Sequence, residues 1–356
     1  MKTFLSKNKD TLITLGIVTV AYALIEILLM AGAISSLFKG LLVPLCAYII
    51  LAISLNLTVG ILGELSLGHA GFMCIGAFTS AFFSKITVDV INPGWLRFVL
   101  AILIGFVFAG IFGFLIGMPV LRLKGDYLAI VTLAFGEIIK NLMNVLYIGR
   151  DSRGLHFSMK DSLSMGLEED GQVLINGAQG ITGTPKDSTF TAGFILIVIS
   201  LLIILNFIKS REGRAVMAIR DNVIAAESVG INVTRYKLLA FSLSAALAGV
   251  AGVLYSHNLN SLMATTKNFG YNMSIMILVF VVLGGIGSIR GSVISAVILT
   301  LLPELLRGLS TYRMLIYAIV LIAMMLFNWA PSARAFRARM IAKLPFAKKK
   351  ALDKEV

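Results

Sequence analysis

Long apolar runs separated by short polar connections make up most of this chain. A helix needs about 20 apolar residues to cross the hydrocarbon core of a bilayer, and ten runs approach or exceed that length. The predicted spans are residues 11–34, 41–60, 65–84, 97–118, 127–147, 190–208, 238–256, 272–287, 290–306 and 313–329. The pattern therefore predicts an all-α protein, a polytopic transmembrane helical bundle of about ten spans.

Two of the apolar runs are interrupted by glycine-rich segments, at residues 60–72 and 284–291. Glycine weakens a helix, and irregular backbone at membrane depth is tolerated only where protein or a water-filled cavity covers it. Transporters place discontinuous helices along their pathways, with free N–H groups facing an anionic substrate group. We therefore predict discontinuous helices and a translocation pathway lined by Ser66, Gly68, His69, Gly284, Gly285 and Gly287. Close helix packing is the alternative for the glycines, and a hydrogen-bonded interior position is the alternative for His69.

Charged residues within the spans are few, and two of them lie close together. Glu137 and Lys140 are separated by three positions in the fifth span, so both side chains lie on one helix face and can pair. A charge at this depth costs about 2.5–3.5 kcal/mol and usually faces the bundle interior. We predict that Glu137 also faces the pathway, and we favour a structural ion pair over a proton relay.

The polar segment at residues 209–237 has the sequence of an ordered loop. Asp221 or Asn222 can cap the N-terminus of a helix over the residues that follow. Gly230 stands where a left-handed residue would end that helix. Basic residues surround it, at Arg214, Arg220, Arg235 and Lys237. A folded helix in a loop that only has to connect two spans indicates a docking surface; an ordinary basic cytoplasmic loop is the alternative.

Composition supports a membrane protein and gives it an orientation. The chain is 58% hydrophobic and 14% charged, whereas soluble domains are about a quarter charged. Cytoplasmic loops are rich in Lys and Arg; with ten spans and the N-terminus inside, 20 of these residues fall inside and 10 outside. We therefore predict both termini to be cytoplasmic. A transmembrane domain would cover residues 1–330, with an extracytoplasmic loop at 148–189 and a basic cytoplasmic tail at 331–356.

The net charge of +13 is attributed to this topology and to contact with anionic lipid, so the bilayer, and no nucleic acid, is the predicted partner. The sequence contains no HExxH, GxSxG or GxxxxGK(S/T) pattern. Cys46 and Cys74 both fall inside apolar runs, which suits small buried hydrophobes. We therefore predict no catalytic residues, no metal site and no cofactor in this chain.

Several of these segments together resemble one family, the permease (transmembrane) subunits of branched-chain amino acid ABC importers of the LivM type. The matching pieces are LNL at 55–57, LSLGHAGF at 65–72, LRLKGDY at 121–127, GRAVMAIRDNVIAAESVGI at 213–231, YKL at 236–238 and GGIGSIRG at 284–291. Each glycine-rich piece alone is weak evidence. Together they extend over most of the chain, and the combination is specific.

The resemblance implies a bacterial-type plasma (inner) membrane protein that pairs with a second, homologous permease subunit. It implies two cytoplasmic ATP-binding subunits that use ATP and Mg, and an extracytoplasmic substrate-binding protein. Residues 209–237 then resemble the segment that couples to an ATPase, through Arg214, Arg220, Asp221, Ala225, Ala226, Glu227 and Gly230. Ile224 occupies the position where many ABC importers have Glu, so a salt bridge is not expected there.

Three alternatives stay open from the sequence. Related permeases are expected to move urea or short amides, and nothing in the spans excludes those substrates. An ion-coupled secondary transporter would use Glu137 as its coupling group. A structural or assembly protein of the membrane is the third.

Overall fold

The computed structural model describes residues 9–32, 35–123, 125–168, 171–307 and 312–329. Its helices, in chain order, are α1 (Lys9–Met30), α2 (Ser36–Asn56), α3 (His69–Ile86), α4 (Gly94–Val120), α5 (Asp126–Val145), α6 (Phe190–Lys209), α7 (Arg211–Asp221), α8 (Val223–Ser228), α9 (Val233–Ser256), α10 (Thr266–Phe269), α11 (Tyr271–Gly284), α12 (Ile289–Leu305) and α13 (Arg313–Trp329). The predicted tail at 331–356 lies outside the described residues.

Two compact units divide the chain, one up to Ala296 and one from Val297 onwards. The second unit holds the end of α12 and α13. The contacts described below all lie within the first unit.

Each of the ten apolar runs coincides with a helix, so the all-α membrane fold is confirmed. Within the described residues, six helical segments are long and apolar enough to cross a membrane: Ser36–Leu62, Gly94–Val120, Asp126–Val145, Phe190–Lys209, Val233–Ser256 and Thr266–Gly284. Thr14–Met30 is a shorter apolar helix. The count of ten spans and the orientation of the termini stay predictions.

Helix α9 lies at the centre of the first unit and packs against α2, α3 and α4. Glycines allow its backbone to approach its neighbours closely. A Cβ atom added at Gly76 of α3 would overlap the backbone of Gly249, and one added at Gly252 would overlap the carbonyl oxygen of Met73. Small residues at helix crossings permit this proximity in membrane proteins, so the core depends on them.

The connection between α5 and α6, predicted as an extracytoplasmic loop, contains an antiparallel sheet that the sequence analysis did not predict. Strands β1 (Tyr147–Asp151), β2 (Gly154–Ser158) and β3 (Gln172–Asn176) lie in the order β2-β1-β3. A second pair joins β4 (Ile181–Thr182) to β5 (Ser261–Leu262). Because the strands are two to five residues long, their alternation is too short to stand out beside helical runs.

Side chains from two helices hold this connection in place. Lys85, in the last turn of α3, donates from Nζ to the Val173 carbonyl oxygen at 2.9 Å. Arg97 of α4 donates from Nη2 to Asp187 Oδ2 at 2.8 Å, and both side chains are largely buried. The ends of α3 and α4 that lie away from the first glycine-rich segment are therefore tied to the sheet region.

We expect Gly252→Val to lower the stability of the protein by about 3 kcal/mol, because the new side chain would force α9 away from α3. Thermal unfolding of the purified protein in detergent measures the change. Gly40→Ala is the matched control, because a Cβ atom at Gly40 of α2 meets nothing within 4 Å. Equal melting temperatures for the two variants would contradict the packing described here.

Candidate functional site

The first glycine-rich segment interrupts its helix, as the sequence analysis predicted. Helix α2 continues through a π-helical turn, Leu57–Leu62, which Gly63 ends in a left-handed conformation with φ of 82°. Residues 63–68 are not helical, and α3 begins at His69. A π-helical turn departs from the regular hydrogen-bond ladder and is frequent at functional sites. We call residues 57–68 the first break.

The residues of the first break that were predicted to line a pathway are buried in this conformation. A Cβ atom added at Gly68 would overlap the carbonyl oxygen of Thr132 in α5. The His69 Nε2 atom lies 2.7 Å from the Ser54 hydroxyl. The Ser66 hydroxyl is buried, and no group among the described residues hydrogen-bonds to it. Here Gly68 therefore serves close packing, and His69 is a hydrogen-bonded interior histidine.

Hydroxyl groups of two neighbouring helices bind backbone N–H groups of the first break and of the start of α3. The Leu67 N–H donates to Thr132 Oγ1 at 3.0 Å, and the Ala70 N–H donates to Ser274 Oγ of α11 at 3.2 Å. Non-helical backbone at membrane depth needs such partners. The break is therefore closed on these sides by α5 and α11.

The second glycine-rich segment is a tight turn between α11 and α12. Gly285 and Gly287 have φ values of 93° and 81°, which favour glycine over other residues. Ser288 N–H donates to the Gly285 carbonyl oxygen at 2.9 Å. Gly284 and Gly291 lie so close that a Cβ atom on either would overlap the other's backbone. We call residues 284–291 the second break.

Asn56 joins the two breaks, and the sequence analysis did not single out its role. Its side chain, fully buried in the last turn of α2, accepts a hydrogen bond at Oδ1 from the Gly287 N–H at 2.8 Å. Its Nδ2 atom donates to Ser292 Oγ at 2.7 Å. An asparagine within an apolar run was the available signal, since a buried amide needs partners for both ends.

Glu137 and Lys140 form the ion pair that their spacing predicts, with 2.5 Å between Nζ and Oε2. Glu137 Oε1 also accepts the backbone N–H of Tyr271 at 2.8 Å, and Lys140 Nζ donates to Thr266 Oγ1 at 3.2 Å. A carboxylate at a helix N-terminus satisfies a free N–H and interacts favourably with the helix dipole. Glu137 therefore fastens α5 to the start of α11.

The polar segment at 209–237 is ordered, and it contains two helices where one was predicted. Ser210 caps α7 by accepting the Gly213 N–H at 3.0 Å. Asn222, and not Asp221, caps α8 by accepting the Ala225 N–H at 3.0 Å. Asp221 instead pairs with the guanidinium of Arg220 at 3.0 Å.

Gly230 lies just after the end of α8 and has the predicted left-handed conformation, with φ of 85°. The Ile231 N–H donates to the Ala226 carbonyl oxygen at 3.0 Å, and the Gly230 N–H to that of Glu227 at 2.9 Å. These two bonds form a Schellman motif. Ala226 is buried, while Ile224 and Val229 are 80% and 75% exposed. The helix therefore presents apolar side chains to its surroundings.

The polar segment contacts the first break at two positions. Arg220 Nη1 donates to the Gly60 carbonyl oxygen at 2.9 Å. Lys237 of α9 forms an ion pair with Glu64, and both side chains are mostly buried. Among the residues predicted for ATPase coupling, Arg220 is thus the one that reaches the break, whereas Arg214 donates to the Lys209 carbonyl oxygen at 2.8 Å.

Two carboxyl groups outside the predicted spans have shifted pKa values. The pKa of Glu212 lies below its usual value because its own backbone N–H and the Ser210 hydroxyl hydrogen-bond to the carboxylate. Burial works to raise the pKa of Asp151 in β1, but hydrogen bonds from the Arg153 N–H and the His156 ring outweigh it and lower that pKa. Both groups are therefore anionic at neutral pH and stabilise local turns.

Comparisons with known proteins agree on one family. The sequence model described as "Branched-chain amino acid transport system / permease component" matches residues 37–327. The high-affinity branched-chain amino acid transport system permease protein LivM of Salmonella typhimurium is 38% identical over 80% of this chain and 66% of that protein. LivM of Escherichia coli is 37% identical over the same shares.

The permease protein LivH of Escherichia coli, from the system of the same name, is 26% identical over 71% of this chain and 79% of that protein. The chain thus spans slightly less than two thirds of the length of the LivM proteins that it matches. No solved structure matches it.

We expect Asn56→Leu to lower the stability of the protein by about 2–3 kcal/mol, because the Gly287 N–H and the Ser292 hydroxyl lose a buried partner. Thermal unfolding in detergent measures the loss. Asn268→Leu, in the half-exposed α10, is the matched control and should change stability by about 0.5 kcal/mol at most. An Asn56→Leu variant as stable as this control would show that Asn56 does not hold the two breaks together.

Proposed function

Because this chain belongs to the family of permease components of branched-chain amino acid transport systems, we propose that it is the membrane-spanning subunit of an ATP-driven importer for branched-chain amino acids. It would form the translocation pathway together with a second, homologous permease subunit. It would hydrolyse no ATP itself, and two cytoplasmic ATPases would supply the energy using ATP and Mg. An extracytoplasmic binding protein would deliver the substrate at a bacterial inner membrane.

The observation that carries this proposal is the exposed helix α8 next to the first break. A connection between two spans needs no capped helix with a Schellman motif, yet this one has both. Ile224 and Val229 are exposed in the chain alone, and burial of such side chains by a partner is favourable. A cytoplasmic ATPase is the partner that would both cover this surface and drive transport.

We propose the ten-span topology with both termini cytoplasmic for this subunit. Two contacts of the breaks are consistent with it, because they join groups on the side assigned to the cytoplasm. These are the hydrogen bond from Arg220 to the Gly60 carbonyl oxygen and the one from the Gly287 N–H to Asn56. The hydrogen bond from Lys85 to the Val173 carbonyl oxygen joins groups assigned to the opposite side.

The pathway residues are proposed to act in a state other than the one described. Ser66, Gly68 and His69 are buried here, and α11 covers the first break. A transporter alternates between states that open its site to one side and then to the other. Separation of the two breaks would expose the buried hydroxyl of Ser66 and the glycines Gly284, Gly285 and Gly287.

An ion-coupled transporter is the weaker alternative because of the surroundings of Glu137. Both of its carboxylate oxygens are engaged, one by Lys140 and one by the Tyr271 N–H. A proton-coupling group must lose and regain its proton during the cycle, whereas both carboxylate oxygens of Glu137 are already held by these partners. Uptake by the chain alone in liposomes under an ion gradient would overturn the importer proposal.

Branched-chain amino acids are proposed as substrates because the two LivM relatives carry that name, and urea or short amides are the competing substrates. Proteoliposomes that contain the subunit, its partner permease, both ATPases and the binding protein can be supplied with labelled leucine or labelled urea. We expect ATP-dependent accumulation of leucine. Accumulation of urea alone would replace the substrate while leaving the importer class intact.

We expect single cysteines to report the proposed orientation in whole cells. Cys46 and Cys74, both buried, are first replaced by alanine. A cysteine at Ser164 in the sheet region should react with a membrane-impermeant maleimide, and one at Ser228 in α8 should react only after the membrane is permeabilised. The opposite pattern would invert the topology.

We expect Ile224→Asp to reduce the amount of ATPase that co-purifies with the subunit by about tenfold, because it places a charge in an apolar interface. Co-purification from detergent and leucine uptake measure the effect. Val90→Asp is the matched control, since Val90 is equally exposed but lies on the side assigned to the exterior. Normal recovery of the ATPases with Ile224→Asp would remove α8 as their docking surface.

A further inference from the structure

Arg220 occupies the end of a broken helix as a capping group. The Gly60 carbonyl lies in the π-helical turn that Gly63 ends, within the last four residues whose carbonyl oxygens have no partner further along the helix. The Arg220 guanidinium donates to this oxygen at 2.9 Å. A cation at a helix C-terminus also interacts favourably with the helix dipole. The last residue but one of α7 therefore completes the end of α2.

Lys237 holds the next residues of the same break. Its ammonium group forms an ion pair with Glu64, directly after the left-handed Gly63. The side chains are 12% and 15% exposed, so solvent screens this pair less than a surface pair. Removing one partner of such a pair would leave the other as a poorly compensated charge.

The space between the two contacts is tight. A Cβ atom added at Gly63 would lie 2.6 Å from Cγ of Arg220, so the stem of the arginine lies against the backbone of the break. Val216 and Ile219 of α7 are fully buried, and α7 packs against the π-helical turn and α9. The polar segment and the break therefore form one packed body at this point.

Helix α8 lies between these two contacts along the chain. Arg220 lies three positions before its first residue, Val223, and Lys237 lies six positions after Ile231, the last residue of its Schellman motif. We infer that Arg220 and Lys237 are positioning residues that transmit the movement of α8 to the first break, through the Gly60 carbonyl and the Glu64 carboxylate. The inference rests on the proposed function, because it takes an ATPase to be what moves α8.

The test measures how much leucine is imported for each ATP hydrolysed, in proteoliposomes that contain the complete complex. Glu64→Gln, Lys237→Gln and Arg220→Gln each remove one half of a contact. The uptake-to-hydrolysis ratio is expected to fall by about tenfold in each variant. ATPase co-purification should stay at its normal level in Glu64→Gln and Lys237→Gln, whose residues lie outside the set predicted to couple to the ATPase. A purely structural role would lower assembly, uptake and hydrolysis together and leave the ratio unchanged.

Conservative and swapped variants separate positioning from general damage. The double variant Glu64→Lys with Lys237→Glu restores opposite charges and should recover most of the ratio. Arg220→Lys keeps a donor for the Gly60 carbonyl and should lose less than Arg220→Gln. Arg122→Gln is the matched control, because Arg122 is exposed and lies on the same proposed side.

Hydrogen exchange on the same complexes gives a second readout that does not depend on transport. On addition of ATP, exchange in residues 57–68 should change in the natural complex and stay constant in Glu64→Gln, while exchange in α8 still responds in both. If a glutamine variant fails to fold, the swapped pair and Arg220→Lys carry the test. If Glu64→Gln and Arg220→Gln retain the full uptake-to-hydrolysis ratio, the inference is overturned and the proposed function stands. If the natural complex shows no ATP-driven uptake, the proposed function is overturned as well.

Discussion

Backbone groups that leave a helix at membrane depth need partners, because hydrocarbon offers none. Among the residues that the structure describes, side chains supply such partners at several helix ends. Asn56 accepts from the second break, Arg220 donates to the end of the first, and Glu137 accepts from the start of α11. Each of these side chains comes from a different helix than the group it satisfies. The same bonds that make the breaks tolerable therefore also hold the helices together.

Close packing makes these bonds possible. Asn56 reaches the second break because Gly60, one turn further on, has no side chain, so the Gly287 backbone can approach. The crossings of α9 with α3 follow the same rule at Gly249 and Gly252. In lipid, helix association depends on van der Waals contact and hydrogen bonds between helices. Small residues thus provide the contact area, and the few polar groups fix which segments meet.

Structural features could be predicted from the sequence wherever the interaction that determines them is local. Apolar runs located the helices, and Gly230 marked the end of α8, since each depends on neighbours within a few residues. The spacing of Glu137 and Lys140 predicted their pair for the same reason. The partners of Asn56 could not be predicted, because Gly287 and Ser292 are 231 and 236 positions away in the chain. The pairing of Glu64 with Lys237, 173 positions apart, was beyond reach for the same reason.

Two of the predictions depended on more than the local sequence. Asp221 and Asn222 are both good N-cap residues. Asn222 caps α8, while Asp221 pairs with Arg220. The pathway residues were inferred from breaks that also serve packing. Ser66 is the exception, because its buried hydroxyl has no partner among the described residues. Close packing therefore does not account for this hydroxyl.

Gly60 is where the polar segment and both breaks meet. Its carbonyl accepts from Arg220, and a Cβ atom at this position would overlap both Asn56 Oδ1 and the Gly287 N–H. A movement of Arg220 therefore acts on the turn of helix that also carries the bond to the second break. Since packed elements with discrete arrangements shift between states as units, the two breaks are coupled in space although they are far apart in sequence. The absence of a side chain at Gly60 thus lets the polar segment contact the part of the chain where both breaks meet.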